Sequence, residues 1–258
     1  MELIDSHCHL YLNDFRDDID DIIKRAEEAG VTRFYLPAID SSETTNIRSL
    51  ELRYPGKCMA MAGLHPCSVK DDYKKELEFA EQELTTRKFA AIGETGLDFY
   101  WDKTFVSQQY DSFETQCGWA LQYNIPVVLH TRDAMDECIG VIKKWAPKGI
   151  KGIFHCFGGT YEQAASIIDL GFLLGIGGVI TYKNSGLADV MARIDLQHVV
   201  LETDAPYLTP VPFRGKRNES SYLGHVAEKL ATIKKIPLEE VAAITTANAK
   251  AVFENLPA

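Results

Sequence analysis

Short apolar runs alternate along this chain with longer stretches of helical periodicity, and the two periods predict strands and helices in turn. Glu2 to His9 reads as a first strand, and Phe15 to Ala29 as an amphipathic helix stopped by Gly30. Arg33 to Ile39 is a second apolar run, and Ser41 to Thr44 offers several caps for the next helix. Cys58 to Leu64 is a third strand, followed by a charged helix over Asp71 to Arg87 and a fourth strand over Phe89 to Glu94. A long helix spans Phe105 to Tyr123. Strands five to seven fall at Pro126 to His130, Ile150 to His155 and Phe172 to Gly177. The intervening helices cover Asp133 to Trp145 and Tyr161 to Leu170, and a short one covers Ser185 to Ile194. His198 to Asp204 is the eighth strand. A loop over 205–217 precedes two last helices, near Ser221 to Lys234 and Leu238 to Glu254.

Eight strands alternating with helices predict an α/β fold, a parallel sheet closed as a (β/α)8 TIM-type barrel with extra C-terminal helices. With no linker, repeat or low-complexity tract, one domain over 1–258 is expected. An open doubly wound sheet is the alternative, but it more often carries a Gly-rich phosphate loop after its first strand, and none is present.

In a barrel, chemistry gathers at the C-terminal strand ends. Five of the seven histidines, His7, His9, His65, His130 and His155, lie at or directly after such ends, with Glu94 and Asp204 at two others. His7-x-His9 alone fits two ordinary histidines on a half-buried strand as well as it fits a metal site. On an extended strand Asp5, His7 and His9 share one face, and Cys8 faces the opposite way. Imidazoles and carboxylates together hold divalent metals. The arrangement predicts His7, His9 and Asp204 on one ion, His130 and His155 on a second, and Glu94 as the bridge. Asp204 also serves as the base for an attacking water, so Asp204 and Glu94 are the expected catalytic pair. Asp5 and Glu202 lie deeper, where they could orient ligands; the alternative for Asp5 is a buried polar partner of another core group, and for Glu202 contact with a further metal or a substrate hydroxyl. Gly175-Ile176-Gly177-Gly178 at the end of strand seven leaves space beside them.

The 258 residues carry a net charge of −10, which argues against a protein that coats nucleic acid through a general basic surface. An enzyme that takes one strand end at a time needs only local positive charge. Arg132, Arg214, Lys216 and Arg217 are candidate phosphate contacts, and His65 a candidate substrate contact. Tyr100 and Trp101 either stack on a base or pack a lid. No apolar run approaches the length of a membrane span, and no basic, apolar leader opens the chain. The six cysteines form no CxxC pair and read as reduced thiols of a cytoplasmic protein.

Six ordered stretches resemble the TatD family of metal-dependent deoxyribonucleases, within the amidohydrolase-like barrels. They are Asp5-Ser6-His7-Cys8-His9-Leu10, Gly63-Leu64-His65-Pro66, Ile92 to Asp98, Pro126 to Arg132, His155 to Gly159 and Glu202 to Tyr207. Arg214 to Glu219 matches the family's late basic loop. The resemblance covers nearly the whole chain. It implies His7, His9, Glu94, His130, His155 and Asp204 as metal ligands, two divalent cations (Zn, Mg or Mn), and 3′ trimming of single-stranded DNA, with no obligate protein partner. The chain departs from the family at Cys67, often histidine, and at Ser221, often proline. A small-molecule hydrolase acting on an amide, lactone or phosphotriester is the alternative on the same barrel. A metal-dependent scaffold without turnover is the third reading.

Overall fold

Side-chain alternation along each strand sorts the core into two layers. Ile4, Tyr35, Met61, Val128, Ile153 and Val200 cluster together, one from each of six strand segments. Their neighbours Leu3, Phe34, Leu36, Val127, Leu129, Phe154, Val199 and Leu201 join the larger cluster formed with the helices. The first set fills the barrel interior and the second glues the barrel to its helical coat.

The computed structural model describes residues 1–254; residues 255–258 of the expected single domain lie outside the described residues. The strands are β1 (Leu3–Asp5), β2 (Val31–Leu36), β3 (Cys58–Ala60), β4 (Ile92–Asp98), β5 (Val127–Arg132), β6 (Gly152–Phe154), β7 (Leu173–Ile176) and β8 (Val199–Leu201). The helices are α1 (Ile19–Glu28), α2 (Thr44–Arg53), α3 (Tyr73–Thr86), α4 (Val106–Gln122), α5 (Met135–Trp145), α6 (Tyr161–Asp169), α7 (Leu187–Arg193), α8 (Leu223–Lys234) and α9 (Leu238–Phe253). All ladder pairs are parallel, in two arcs, β1 to β3 and β4 to β8. Ala62 bridges Ile92 to join the arcs on one side. On the other, Ser6 donates to the Leu201 carbonyl through its N–H at 3.0 Å and its hydroxyl at 2.9 Å. The sheet is thus closed into the expected (β/α)8 barrel. At one end α9 plugs it, with Phe253 stacked on Tyr35 at 3.8 Å.

Every strand departs from its expected bounds by one to four residues at one end or both, and the departures of β1 and β4 shape the opposite end. β1 stops at Asp5 instead of running to His9. Beyond it the backbone bonds alternately to the last and second strands: Ser6 N–H to Leu201, Cys8 N–H to Tyr35, His9 N–H to Ala205. The bend turns His7 and His9 inward and leaves Cys8 buried against the Tyr35 carbonyl. β4 starts later and runs on to Asp98, because its pairing with β5 slips between Ile92 and Thr95. Within that slip Gly93 and Glu94 bond across to Ala62 and Ala38 instead. A bulge of this kind re-aims one side chain, here Glu94.

Candidate metal centre

Glu94, 2% exposed, stands at the middle of the strand ends. Its two carboxylate oxygens face different partners. Oε2 lies 3.1 Å from His7 Nε2 and 3.7 Å from His9 Nε2. Oε1 lies 2.8 Å from His130 Nδ1, 2.8 Å from His155 Nε2 and 3.4 Å from His65 Nε2. Asp204 closes the first side, 3.4 Å from His9 Nε2 and 3.7 Å from His7 Nε2. Among the described residues three ligand-capable sets emerge: His7, His9 and Glu94; His7, His155 and Asp204; and His65, Glu94 and His130. All six expected ligands therefore converge on one place, and His65 lies among them.

The outer nitrogens of the imidazoles decide which lone pairs point inward. Tyr11 gives its hydroxyl proton to the Pro37 carbonyl at 2.6 Å, so its oxygen accepts from His9 Nδ1 at 2.8 Å. His9 Nε2 is then an inward lone pair. His130 Nε2 donates to Asp98 at 2.9 Å, which frees its Nδ1. His155 Nδ1 faces Glu202 at 3.4 Å, which frees its Nε2. His65 is wired the other way: its Nδ1 accepts from the Cys67 N–H at 3.0 Å, so Nε2 carries the proton. His65 thus presents a donor toward the cluster, whereas His9 and His130 present lone pairs that could hold a cation.

A cation fits this donor set. In a tetrahedral zinc site, bonds of roughly 2.0–2.1 Å hold ligand nitrogens roughly 3.3–3.4 Å apart. His7 Nε2 and His9 Nε2 are 3.3 Å apart, with a carboxylate oxygen of buried Glu94 and one of half-buried Asp204 beside them. The charges agree. Burial would raise the Glu94 carboxyl, but His155, His65 and His7 hold it well below the usual carboxylate range. Burial opposes charge on His155 too, yet Glu94 and Glu202 hold that imidazole well above its ordinary value. Burial and the neighbouring His155 together lower His7. Asp204 is lowered, with burial opposed by the His9 hydrogen bond and the His155 charge.

The other expected residues are placed as follows. Glu202 stands behind His155 and accepts from the Cys156 N–H at 2.5 Å. Its Oε2 has no partner among the described residues and occupies space left by Gly175, where a Cβ would come within 2.2 Å. Asp5 does not share the face of His7 and His9, because the strand ends there and the chain bends. Its carboxylate accepts from the Thr203 N–H (2.9 Å) and hydroxyl (2.6 Å) and the Ser220 hydroxyl (2.6 Å). Burial raises it to about 7 against those donors. The Asp5 carboxylate therefore braces the end of β1, just before His7, against the segment after β8 that carries Asp204.

Arg132 lines the mouth, with its guanidinium 4.4 Å from the Tyr100 ring. The basic loop does not line the cavity. Arg217 is held by Asp18 at 2.6 and 3.0 Å, Arg214 lies 4.2 Å from the Tyr182 ring, and Lys216 lies 5.7 Å from the Phe213 ring. Arg217 and Arg214 meet residues far away in sequence, Asp18 and Tyr182, which the sequence pattern does not bring near them. Asp98 and Tyr11, which orient His130 and His9, were not assigned roles from sequence. Tyr11 sits two residues after His9, and Asp98 four after Glu94, so spacing alone offered only a faint signal. The mouth opens into a cavity of about 1240 Å³.

Residues 4–254 match the family model described as TatD related DNase. The chain is 36% identical over 252 residues to the uncharacterized metal-dependent hydrolase YabD of Bacillus subtilis, covering 97% of this chain and 98% of that protein. It is 32% identical over 257 residues to the 3′-5′ ssDNA/RNA exonuclease TatD of Erwinia tasmaniensis, covering 97% and 99%. The crystal structure of YJJV, a TatD homolog from Escherichia coli, superposes with a TM-score of 0.92 at 31% identity, covering 99% and 98%.

Proposed function

The chain belongs to the TatD-related DNase family and is a metal-dependent hydrolase, and from that premise we propose that it is a two-cation exonuclease trimming single-stranded DNA from the 3′ end. We read residues 1–258 as one catalytic domain. The observation that carries the reading is the division of Glu94, one oxygen toward His7 and His9, the other toward His130 and His155. His7, His9 and Asp204 would hold one cation, His130 and His155 the other, with Glu94 shared. Such a pair supplies a water acidic enough to attack at neutral pH and neutralises charge on the scissile phosphate.

The chain's own groups supply the rest. Asp204 sits at the rim of the cluster, its carboxyl held below the usual range, ready to accept the water's proton. The inward Nε2–H of His65 is placed to donate to a phosphate oxygen. Arg132 offers a second, charged donor at the mouth.

The test is trimming of a labelled single-stranded oligonucleotide with Mg²⁺, Mn²⁺ and Zn²⁺ in parallel. Asp204→Asn should lower turnover by at least about 10³-fold while circular dichroism stays native. Full activity in that variant, or in wild type stripped of metal, would sink the reading. One observation favours the second reading, a small-molecule hydrolase: Arg214, Lys216 and Arg217 do not line the cavity. Hydrolysis of small esters or lactones with oligonucleotides untouched would establish it.

A further inference from the structure

Two large aromatic side chains sit in the open beside this cavity, Trp101 on its lining and Tyr100 against Trp101. Trp101 is 69% exposed and Tyr100 is 52% exposed. Packing a lid does not explain them, since a lid ring would be covered by the barrel. Their backbone is nevertheless fixed. The buried Asp98 carboxylate accepts from the Tyr100 N–H at 2.9 Å and the Trp101 N–H at 3.0 Å. The same carboxylate accepts from His130 at 2.9 Å. Gln109 in turn clamps the Asp98 backbone, accepting from its N–H at 2.9 Å and donating to its carbonyl at 3.2 Å. The exposed rings are therefore indexed to the metal cluster through one side chain. Arg132 lies beside them, 4.4 Å from the Tyr100 centroid and 5.8 Å from that of Trp101, and makes no ion pair among the described residues.

We propose that Trp101, backed by Tyr100 and Arg132, is a stacking platform for the unpaired base next to the scissile phosphate. An open ring beside an unpaired guanidinium matches a base and its own phosphate, one nucleotide long. A paired, internal base has both faces covered by its neighbours, so the platform selects frayed or single-stranded ends. Asp133, Asp136 and Glu137 line the same cavity and repel the polyanionic backbone from their stretch of wall, which leaves the Trp101 side for the strand. The proposal rests on the nuclease reading above for its substrate.

The experiment crosses a protein change with a substrate change. Wild type and Trp101→Ala are assayed on an oligonucleotide with a natural base, or an abasic residue, at the second position from the 3′ or the 5′ end. Removing either the ring or the base should raise KM about tenfold, and removing both should raise it no further. Independent losses multiplying to about a hundredfold, or no effect of Trp101→Ala, overturn the platform. If wild type cleaves no oligonucleotide with any of the three metals, the nuclease reading fails on its own account. The platform is then judged by binding: intact oligonucleotide should quench tryptophan fluorescence in wild type and not in Trp101→Phe. Absence of quenching in wild type overturns the platform as well.

Discussion

His65 and His155 both lean on the same Glu94 oxygen, and their outer nitrogens assign them different work. The Cys67 N–H fills the His65 lone pair, while Glu202 faces the His155 Nδ1. His65→Asn should therefore keep the full metal content after dialysis, read by atomic emission, and lower kcat about 10- to 100-fold. His155→Asn should lose bound metal instead. Loss of metal from His65→Asn would make it a ligand. Tyr11→Phe keeps the ring and removes the oxygen that fixes His9. Its metal affinity, measured by competition with a chelator, should fall about tenfold or more. Residue types at strand ends were legible in the sequence because metals demand few of them. The roles of Asp98 and Tyr11 were not, because a hydrogen bond to an imidazole leaves no periodic trace.

At the level of elements, the strand-helix rhythm was readable almost throughout, because barrel strands buried on both faces are short apolar runs. The bend after β1 and the slip in β4 were not, since both arise from bonds to distant partners, Leu201, Ala205, Ala38 and Ala62. Those two irregularities aim His7, His9 and Glu94 inward. β7 contributes by what it lacks. The glycines at its end suggested open space, and Gly175 leaves room for the Glu202 carboxylate. Gly175→Ala should force Glu202 aside, destabilise the fold by about 1–3 kcal/mol and loosen metal binding at His155. Unchanged melting and metal content would show that Glu202 relocates freely.

For the whole molecule, metal and protons compete for the same imidazoles. In the metal-free chain His155 is held well above its ordinary value, chiefly by Glu94 and Glu202 against the opposing burial. That contribution to stability is fully present below the unfolded imidazole pKa and is lost as pH rises through the raised folded value. Metal affinity moves the opposite way, gaining about tenfold per pH unit for each proton displaced. The gap in Tm between metal-loaded and chelator-treated protein should therefore widen from pH 6 to 8, by about 3 °C per unit per proton. A gap constant with pH would show that no proton leaves when metal binds.

The seam between β1 and β8 carries a further consequence. Arg217 clasps Asp18, Glu219 clasps Arg25 at 2.7 and 2.9 Å, and Asn218 donates to the Thr203 and Tyr207 carbonyls. This strap fastens the last strand's loop onto the first helix. His7 and His9 leave the ribosome roughly two hundred residues before their partner Asp204 and the clasp that seats it. A nascent chain is thus barred from assembling a competent centre. Stalled chains ending before residue 204 should show no hydrolysis with any metal, and chains extended past residue 219 and freed from the exit tunnel should gain it. The hydrolase is in this way kept inactive while its chain is still emerging from the ribosome.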